Sequence, residues 1–299
     1  MKVDITSDLH IDMWVDVFRA KNDIKQRKNI KTLISNLLPD EPADVLVIAG
    51  DIGHYNTENV ILFEVLRETY ETVIWVHGNH DLYLISPSIE KNYRNDSFQR
   101  LSEMIQLTNQ IDGVHYLNGD TIQVGGYIIG GCGSWYDNAY GSNVWEMDDQ
   151  AFIDKWRSYL NDSNYIEVPY TKTCEIDSLI YSEKQKKLLS SIVDVCDLVV
   201  THVAPDWTHL PTKYQTPEST FYCFDGRTLL KRMKPNAIWV FGHTHDKHSF
   251  QHPSGPLMFC NPLGYRDGLD INSNGLSKRK FITIDLEKVP SYEELFKNE

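Results

Sequence analysis

The chain has 299 residues, of which 41% are hydrophobic and 24% charged, the balance of an ordinary globular protein. That excludes a disordered segment, a collagen-like repeat and a small disulfide-stapled fold. Lys and Arg number 29 against 42 Asp and Glu, and the formal net charge of −13 speaks against a grip on long nucleic acid or an anionic membrane, unless a bound metal inverts the local field.

Short apolar runs at 2–7, 45–49, 73–76, 127–129, 198–200 and 238–241 predict strands covered on both faces. Amphipathic stretches at 24–38, 56–72, 87–110 and 181–193 predict helices between them. Alternation of this kind points to an α/β architecture with mostly parallel sheets, whose ligands bind beyond the carboxyl ends of the strands. Near the C-terminus, 248–251, 257–260 and 281–284 read as strands joined by short turns, expected to complete a second sheet in antiparallel fashion. No linker or repeat divides the chain, so one domain spanning 1–299 is expected. Residues 133–170 are the least regular and hold nine aromatic side chains from Trp135 to Tyr170, which suggests a cap or insert over one edge of the core.

The five cysteines, Cys132, Cys174, Cys196, Cys223 and Cys260, are scattered and never in CxxC spacing. Reduced thiols in a cytoplasmic protein are expected. The opening MKVDITSDLH lacks the apolar core of a secretory leader, and no stretch approaches a membrane span, so no membrane partner is expected.

Five of the predicted strands end in residues that carry chemistry. They are Ser7-Asp8-Leu9-His10, Gly50-Asp51-Ile52-Gly53-His54, Gly78-Asn79-His80-Asp81, Thr201-His202 and Gly242-His243-Thr244-His245. Asp, His and Asn are oxygen and nitrogen donors suited to Zn, Mn, Fe or Co rather than to thiophilic ions. The flanking glycines permit sharp turns and close backbone approach. Each motif alone is common by chance; five in register at strand ends are not. Asp8, His10, Asp51, Asn79, His202, His243 and His245 supply enough donors for two cations and a bridging carboxylate.

This order of motifs resembles the calcineurin-like metallophosphoesterases, whose pattern is DxH, GDxx, GNH(D/E), a lone His and GHxH. The match runs from Asp8 to His245, and Asn261-Pro262-Leu263-Gly264-Tyr265 resembles the turn after GHxH in bacterial and phage-type members. The resemblance implies a four-layer α-β-β-α sandwich with two mixed sheets and a site above the strand ends. It implies two divalent metal ions, with manganese favoured, the first held by Asp8, His10, Asp51 and His245. The second would take Asn79, His202 and His243, with Asp51 bridging. His80 is then expected beside the scissile ester, stabilising the developing charge or protonating the leaving oxygen after attack by a metal-bound hydroxide. Asp81 is expected to orient the His80 ring through a hydrogen bond.

The implied activity is hydrolysis of phosphate esters, small phosphodiesters or nucleotides ahead of other substrates. The alternatives are a nuclease on single-stranded or damaged nucleic acid and, behind it, a non-catalytic scaffold. Protein serine/threonine phosphatases carry GDxVDRG, which is missing here, and purple acid phosphatases place a tyrosine ligand where His54 stands. Double-strand-break repair nucleases do read GDxxH. A nuclease would need a basic track, for which 25–28 and 278–280 are the dense candidates. His54, Trp135, Trp207 and Tyr222 are the candidates for substrate contact.

Overall fold

The computed structural model describes residues 1–15, 23–208, 210–266 and 280–287. Eleven strands, β1 (Lys2–Thr6), β2 (Val45–Ala49), β3 (Thr72–Val76), β4 (Val114–Tyr116), β5 (Asp120–Val124), β6 (Tyr127–Gly131), β7 (Leu198–Val200), β8 (Ile238–Phe241), β9 (His248–Gln251), β10 (Leu257–Cys260) and β11 (Ile282–Asp285), form two sheets among these residues. The first has the order β11-β1-β2-β3-β4 and the second β5-β6-β7-β8-β10-β9. Both are mixed. β1, β2, β3 and β4 run parallel while β11 is antiparallel to β1. In the second sheet β6, β7, β8 and β10 run parallel, flanked by antiparallel β5 and β9.

Alternation along the strands explains the layers. In β2, Val45, Val47 and Ala49 face the second sheet, meeting Ile129, Val200 and Val240 in a core between the sheets. Leu46 and Ile48 turn to the outer core, which includes Ile30, Phe63 and Leu66 from the covering helices. Each fully buried aliphatic side chain contributes about 1.5–3 kcal/mol. The result is the expected α-β-β-α sandwich, with the site-bearing turns of both sheets at one rim.

Three expectations are corrected. The last strand, β11, joins the first sheet beside β1 instead of completing the second, and β10 lies parallel to β8. The helix expected over 87–110 is two helices, Pro87–Asn92 and Ser97–Thr108. Arg94 and Asn95 take left-handed backbone between them, and the Asp96 carboxylate caps the second helix by accepting from the Phe98 and Gln99 amides. The stretch 133–170 is also more regular than its sequence suggests, containing helices Ala139–Trp145, Asp149–Tyr159 and Asp162–Tyr165.

Candidate active site

The turns after β1, β2, β3, β7 and β8 converge. Asp8, His10, Asp51, His243 and His245 all have positive φ, between 40° and 66°. For residues with a Cβ this is an uncommon conformation that costs of order 1–3 kcal/mol, and it clusters where function demands it. Bonds between the turns hold it in place. The Asp8 amide donates to the Gly50 carbonyl and the His10 amide to that of Asp51, each at 3.0 Å. The His243 amide donates to Asp8 Oδ1 at 2.9 Å. Gly78 has no alternative here: a Cβ would lie 2.1 Å from Asp51 Oδ1.

Two groups of donors result, Asp8, His10, Asp51 and His245, and then Asp51, His202 and His243, each with ligand atoms within 4.8 Å of one another. Asp51 belongs to both. Its Oδ1 accepts from the His80 amide at 2.9 Å, leaving Oδ2 3.7 Å from His10 Nε2 and 3.4 Å from His202 Nε2.

The hydrogen bonds around the second group test whether a cation fits. His202 Nδ1 lies 2.8 Å from the Ala49 carbonyl, and His243 Nε2 lies 2.9 Å from that of Phe221. A carbonyl only accepts, so both nitrogens carry protons, and the neutral rings present lone pairs at His202 Nε2 and His243 Nδ1. These two atoms are 3.2 Å apart, with Asn79 Oδ1 3.1 Å from His202 Nε2. Three lone pairs and a carboxylate oxygen facing one another demand a positive charge at their centre. In the metal-free protein a proton meets that demand: burial pulls His202 down, but the charge and hydrogen bond of Asp51 carry it to about 9. The donor set fits a divalent cation. The first group converges likewise, with His10 Nε2 3.1 Å from His245 Nε2 and Asp8 Oδ1 3.3 Å from the latter. His10 Nδ1 has no hydrogen-bond partner among the described residues.

His80 sits beside this centre on a short 3-10 turn, His80–Leu82. Its expected partner is corrected. The Asp81 carboxylate faces backbone, accepting from the amides of Asp51, Ile52, Gly53 and Gly78 at 2.8–3.5 Å. It ties two strand-end turns together and does not orient the imidazole. Burial and the charge of Asp51 push it up to about 6. The partner of the His80 ring is His54, whose Nε2 lies 2.9 Å from His80 Nδ1. His54 Nδ1 in turn donates to Asp12 Oδ2 at 2.7 Å. Burial pushes Asp12 up, but His54 outweighs it and keeps the group a carboxylate. The tautomers follow in sequence: His54 accepts at Nε2, His80 donates from Nδ1, and His80 Nε2 is left as an acceptor. The Tyr265 hydroxyl lies 3.2 Å from that nitrogen. His80 is therefore neutral at rest, in keeping with burial that takes it down to about 3.

Above the donors lies a cavity of about 700 Å³, walled by Tyr159, Asp162, Tyr214, Glu218, Tyr222 and Tyr265 among others. Of the substrate-contact candidates, Tyr222 lines it, its ring 5.2 Å from that of His243. The other three do not line it. His54 is behind His80. Trp135 is 2% exposed, packed against Tyr136 and Tyr181 with its Nε1 bonded to Ser178. Trp207 packs on Tyr140 under the guanidinium of Arg227. Sequence reasoning missed Asp12, Tyr265, Tyr159 and Asp162. Asp12 follows His10 by two residues, Tyr265 closes the NPLGY turn and Tyr159 belongs to the aromatic stretch expected as a cap, so these had a local signal; Asp162 had none.

The comparisons with known proteins agree with this geometry. A family model described as calcineurin-like phosphoesterase matches residues 1–247. Acyl-carrier-protein phosphodiesterase PptH of Mycobacterium tuberculosis is 38% identical over 53 residues, 18% of this chain and only 16% of that relative's length. The crystal structure of phosphopantetheinyl hydrolase (PptH) from Mycobacterium tuberculosis superposes with a TM-score of 0.66 at 16% identity, covering 98% of this chain and 97% of that one. A dimetal phosphatase from Danio rerio is more distant, with a TM-score of 0.42 at 14% identity over 87% of this chain and 86% of that one.

Proposed function

The chain belongs to the calcineurin-like phosphoesterases, and from that footing we propose that it hydrolyses small phosphodiesters in the cavity above its two donor groups. The observation that carries this reading is the lining of that cavity. It has five tyrosines, Tyr83, Tyr159, Tyr214, Tyr222 and Tyr265, and among the described residues no lysine or arginine. A diester brings one negative charge and two organic arms, which suits a site whose positive charge is confined to its floor. A monoester or a polyphosphate would set further negative charge against walls that include Asp162, Glu218 and Asp246. The likeness to PptH supports a phosphodiester and adds a phosphopantetheinylated carrier protein to the substrates worth testing.

Bound divalent cations would polarise a phosphoryl oxygen and lower the pKa of water. Asp8, His10 and His245 would hold one, Asn79, His202 and His243 the other, and Asp51 both. Manganese is the first to test. His80 would then take a proton at Nε2 from the attacking water and pass it to the leaving oxygen. The carboxylate of Asp12, acting through His54, favours the imidazolium in between. Residues 133–170 act as one wall of a single domain rather than as a separate unit.

A nuclease reading finds less support. Arg27, the centre of the basic cluster at 25–28, pairs with Glu64 at 2.5 Å and Glu68 at 3.0 Å. Lys280 pairs with Asp40, while Lys278 and Arg279 lie outside the described residues. No helix among the described residues is long and apolar enough to cross a membrane. Buried free thiols at Cys132, Cys196, Cys223 and Cys260 suit a reducing, cytoplasmic setting.

The test is a comparison of manganese-loaded protein on bis(p-nitrophenyl) phosphate and p-nitrophenyl phosphate, extended to cyclic nucleotides, dinucleotides, single-stranded DNA and a phosphopantetheinylated carrier protein. The diester should be favoured in kcat/KM by about tenfold or more, the equivalent of one unmet charge contact. Preference for the monoester overturns the reading, and no hydrolysis of any substrate with metal bound points to a scaffold.

A further inference from the structure

We propose that Asp162, which lies outside every sequence motif of the site, is the positioning residue that aims Asn79 at the second cation. Asp162 is 1% exposed and belongs to the short helix Asp162–Tyr165 in the cavity wall. Its Oδ1 accepts from Asn79 Nδ2 at 2.8 Å and from the Tyr83 hydroxyl, and its Oδ2 accepts from the Tyr136 hydroxyl at 2.5 Å. The Tyr136 oxygen is held in turn by Trp156 Nε1 at 2.6 Å.

The chemistry is that of a two-ended group. An asparagine amide rotated by half a turn occupies the same space but exchanges a donor for an acceptor. Only the oxygen end can ligate a cation. A carboxylate accepts and cannot donate, so Asp162 fixes the NH₂ end on its own side and leaves Oδ1 facing His202 Nε2 at 3.1 Å. Histidine ligands in the same group are fixed by backbone carbonyls; Asn79 is held by the Asp162 carboxylate, 83 residues away, and at 3.2 Å by the Tyr83 hydroxyl, which itself donates to Asp162. The floor is thus completed by its wall.

The inference rests on the ligand assignment made above, and the experiment separates the two. Manganese is titrated into the metal-free chain, with stoichiometry read by elemental analysis after dialysis and by the spin-coupled Mn(II) resonance signal. Wild type should take up two equivalents. Asp162→Leu should keep the first and bind the second about 10- to 100-fold more weakly, the usual cost of losing an outer contact to a ligand, with loss of the coupled signal. Asp162→Asn retains an acceptor oxygen and should keep both.

The decisive arm is a rescue. An aspartate at 79 has an oxygen at either end and needs no aiming. Asn79→Asp should therefore restore the second equivalent to Asp162→Leu, whereas Asn79→Asp alone, facing the Asp162 carboxylate, should weaken it. Melting of each metal-free variant establishes that it is folded. Should Asp162→Leu not fold, Asn79→Asp is compared in the wild-type and Asp162→Asn backgrounds, where the weakening expected in the first should be absent from the second. Full binding by Asp162→Leu, or an effect of Asn79→Asp that does not depend on the residue at 162, overturns the role of Asp162 alone. A wild type that takes up no manganese overturns the ligand assignment and this inference with it.

Discussion

The floor of the cavity comes from turns at the ends of β1, β2, β3, β7 and β8, whereas its walls come from the helical stretch around 159–162 and the loop 210–222. Floor residues such as Asp8, His10, Asp51 and His202 are at most 1% exposed, and several carry strained backbone that neighbouring turns hold in place. Wall residues range more widely, from Asp162 at 1% exposed to Tyr159 at 52%. The difference separates two tasks. A floor that must hold charge and donors in fixed positions tolerates no replacement, while walls that select an organic arm work by area and shape. Substitutions should therefore divide the same way, floor variants losing turnover or metal and wall variants changing KM.

The hardest test of the floor is Asp51, the one side chain shared by both donor groups. Asp51→Asn should lose metal by elemental analysis and lower kcat/KM by roughly four orders of magnitude, since cation stabilisation of the transition state is worth several kcal/mol. Retention of both cations by this variant would contradict its bridging place.

The neighbours His80 and Asp81 sharpen the comparison within the floor. His80→Ala should leave metal content unchanged and cut kcat by about 10²- to 10³-fold, in the range of a proton-transfer group. Asp81→Ala removes the acceptor for four backbone amides and should cost at least about 3 kcal/mol in chemical denaturation, because buried donors are left unmet. A stable Asp81→Ala protein with slow turnover would return Asp81 to the chemistry.

The same contrast explains what was legible in the sequence. The floor could be read because each motif closely follows an apolar run and three of the five open on a glycine, Gly50, Gly78 and Gly242, a pattern dictated by strand ends and close approach. The α/β architecture followed from the same runs, and the four-layer sandwich from the family resemblance that the motifs carry. β11 was misassigned because a period-two pattern identifies a strand but not its neighbour, and Lys2↔Asp285 pairing spans nearly the whole chain. Asp81 was misread because proximity in sequence to His80 is not proximity to its ring. The walls were opaque for a further reason: tyrosines in one aromatic stretch look alike whether they pack on a core, as Tyr136 does, or face a cavity, as Tyr159 does.

A smaller effect, specific to the second donor group, comes from pH. In metal-free protein His202 is raised from 6.5 to about 9. A histidine whose folded value is raised stabilises fully below 6.5, and that contribution is lost as pH climbs through about 9. The loss amounts to about 3 kcal/mol. With a cation on Nε2 no proton is there to lose. Denaturation of chelated and manganese-loaded protein at pH 6.5 and 9 should thus show a slope in the first that is absent from the second. Equal slopes would mean that His202 Nε2 does not face the cation.

The smallest effects belong to the walls, and they decide whether floor and walls divide the labour as described. Tyr159→Ala removes an aromatic face from the cavity, and an aromatic contact is worth about 0.5–1.5 kcal/mol, so KM for an aromatic diester should rise about three- to tenfold with kcat little changed. Trp207→Ala is the control from the same aromatic inventory. Its ring meets Tyr140 and Arg227, away from the cavity, and KM should stay within about twofold of wild type. A Trp207 variant with the larger KM effect would mean that selection extends beyond this cavity. A Tyr159 variant that lost kcat instead would show the wall holding the floor in place, as proposed for Asp162, rather than holding the substrate.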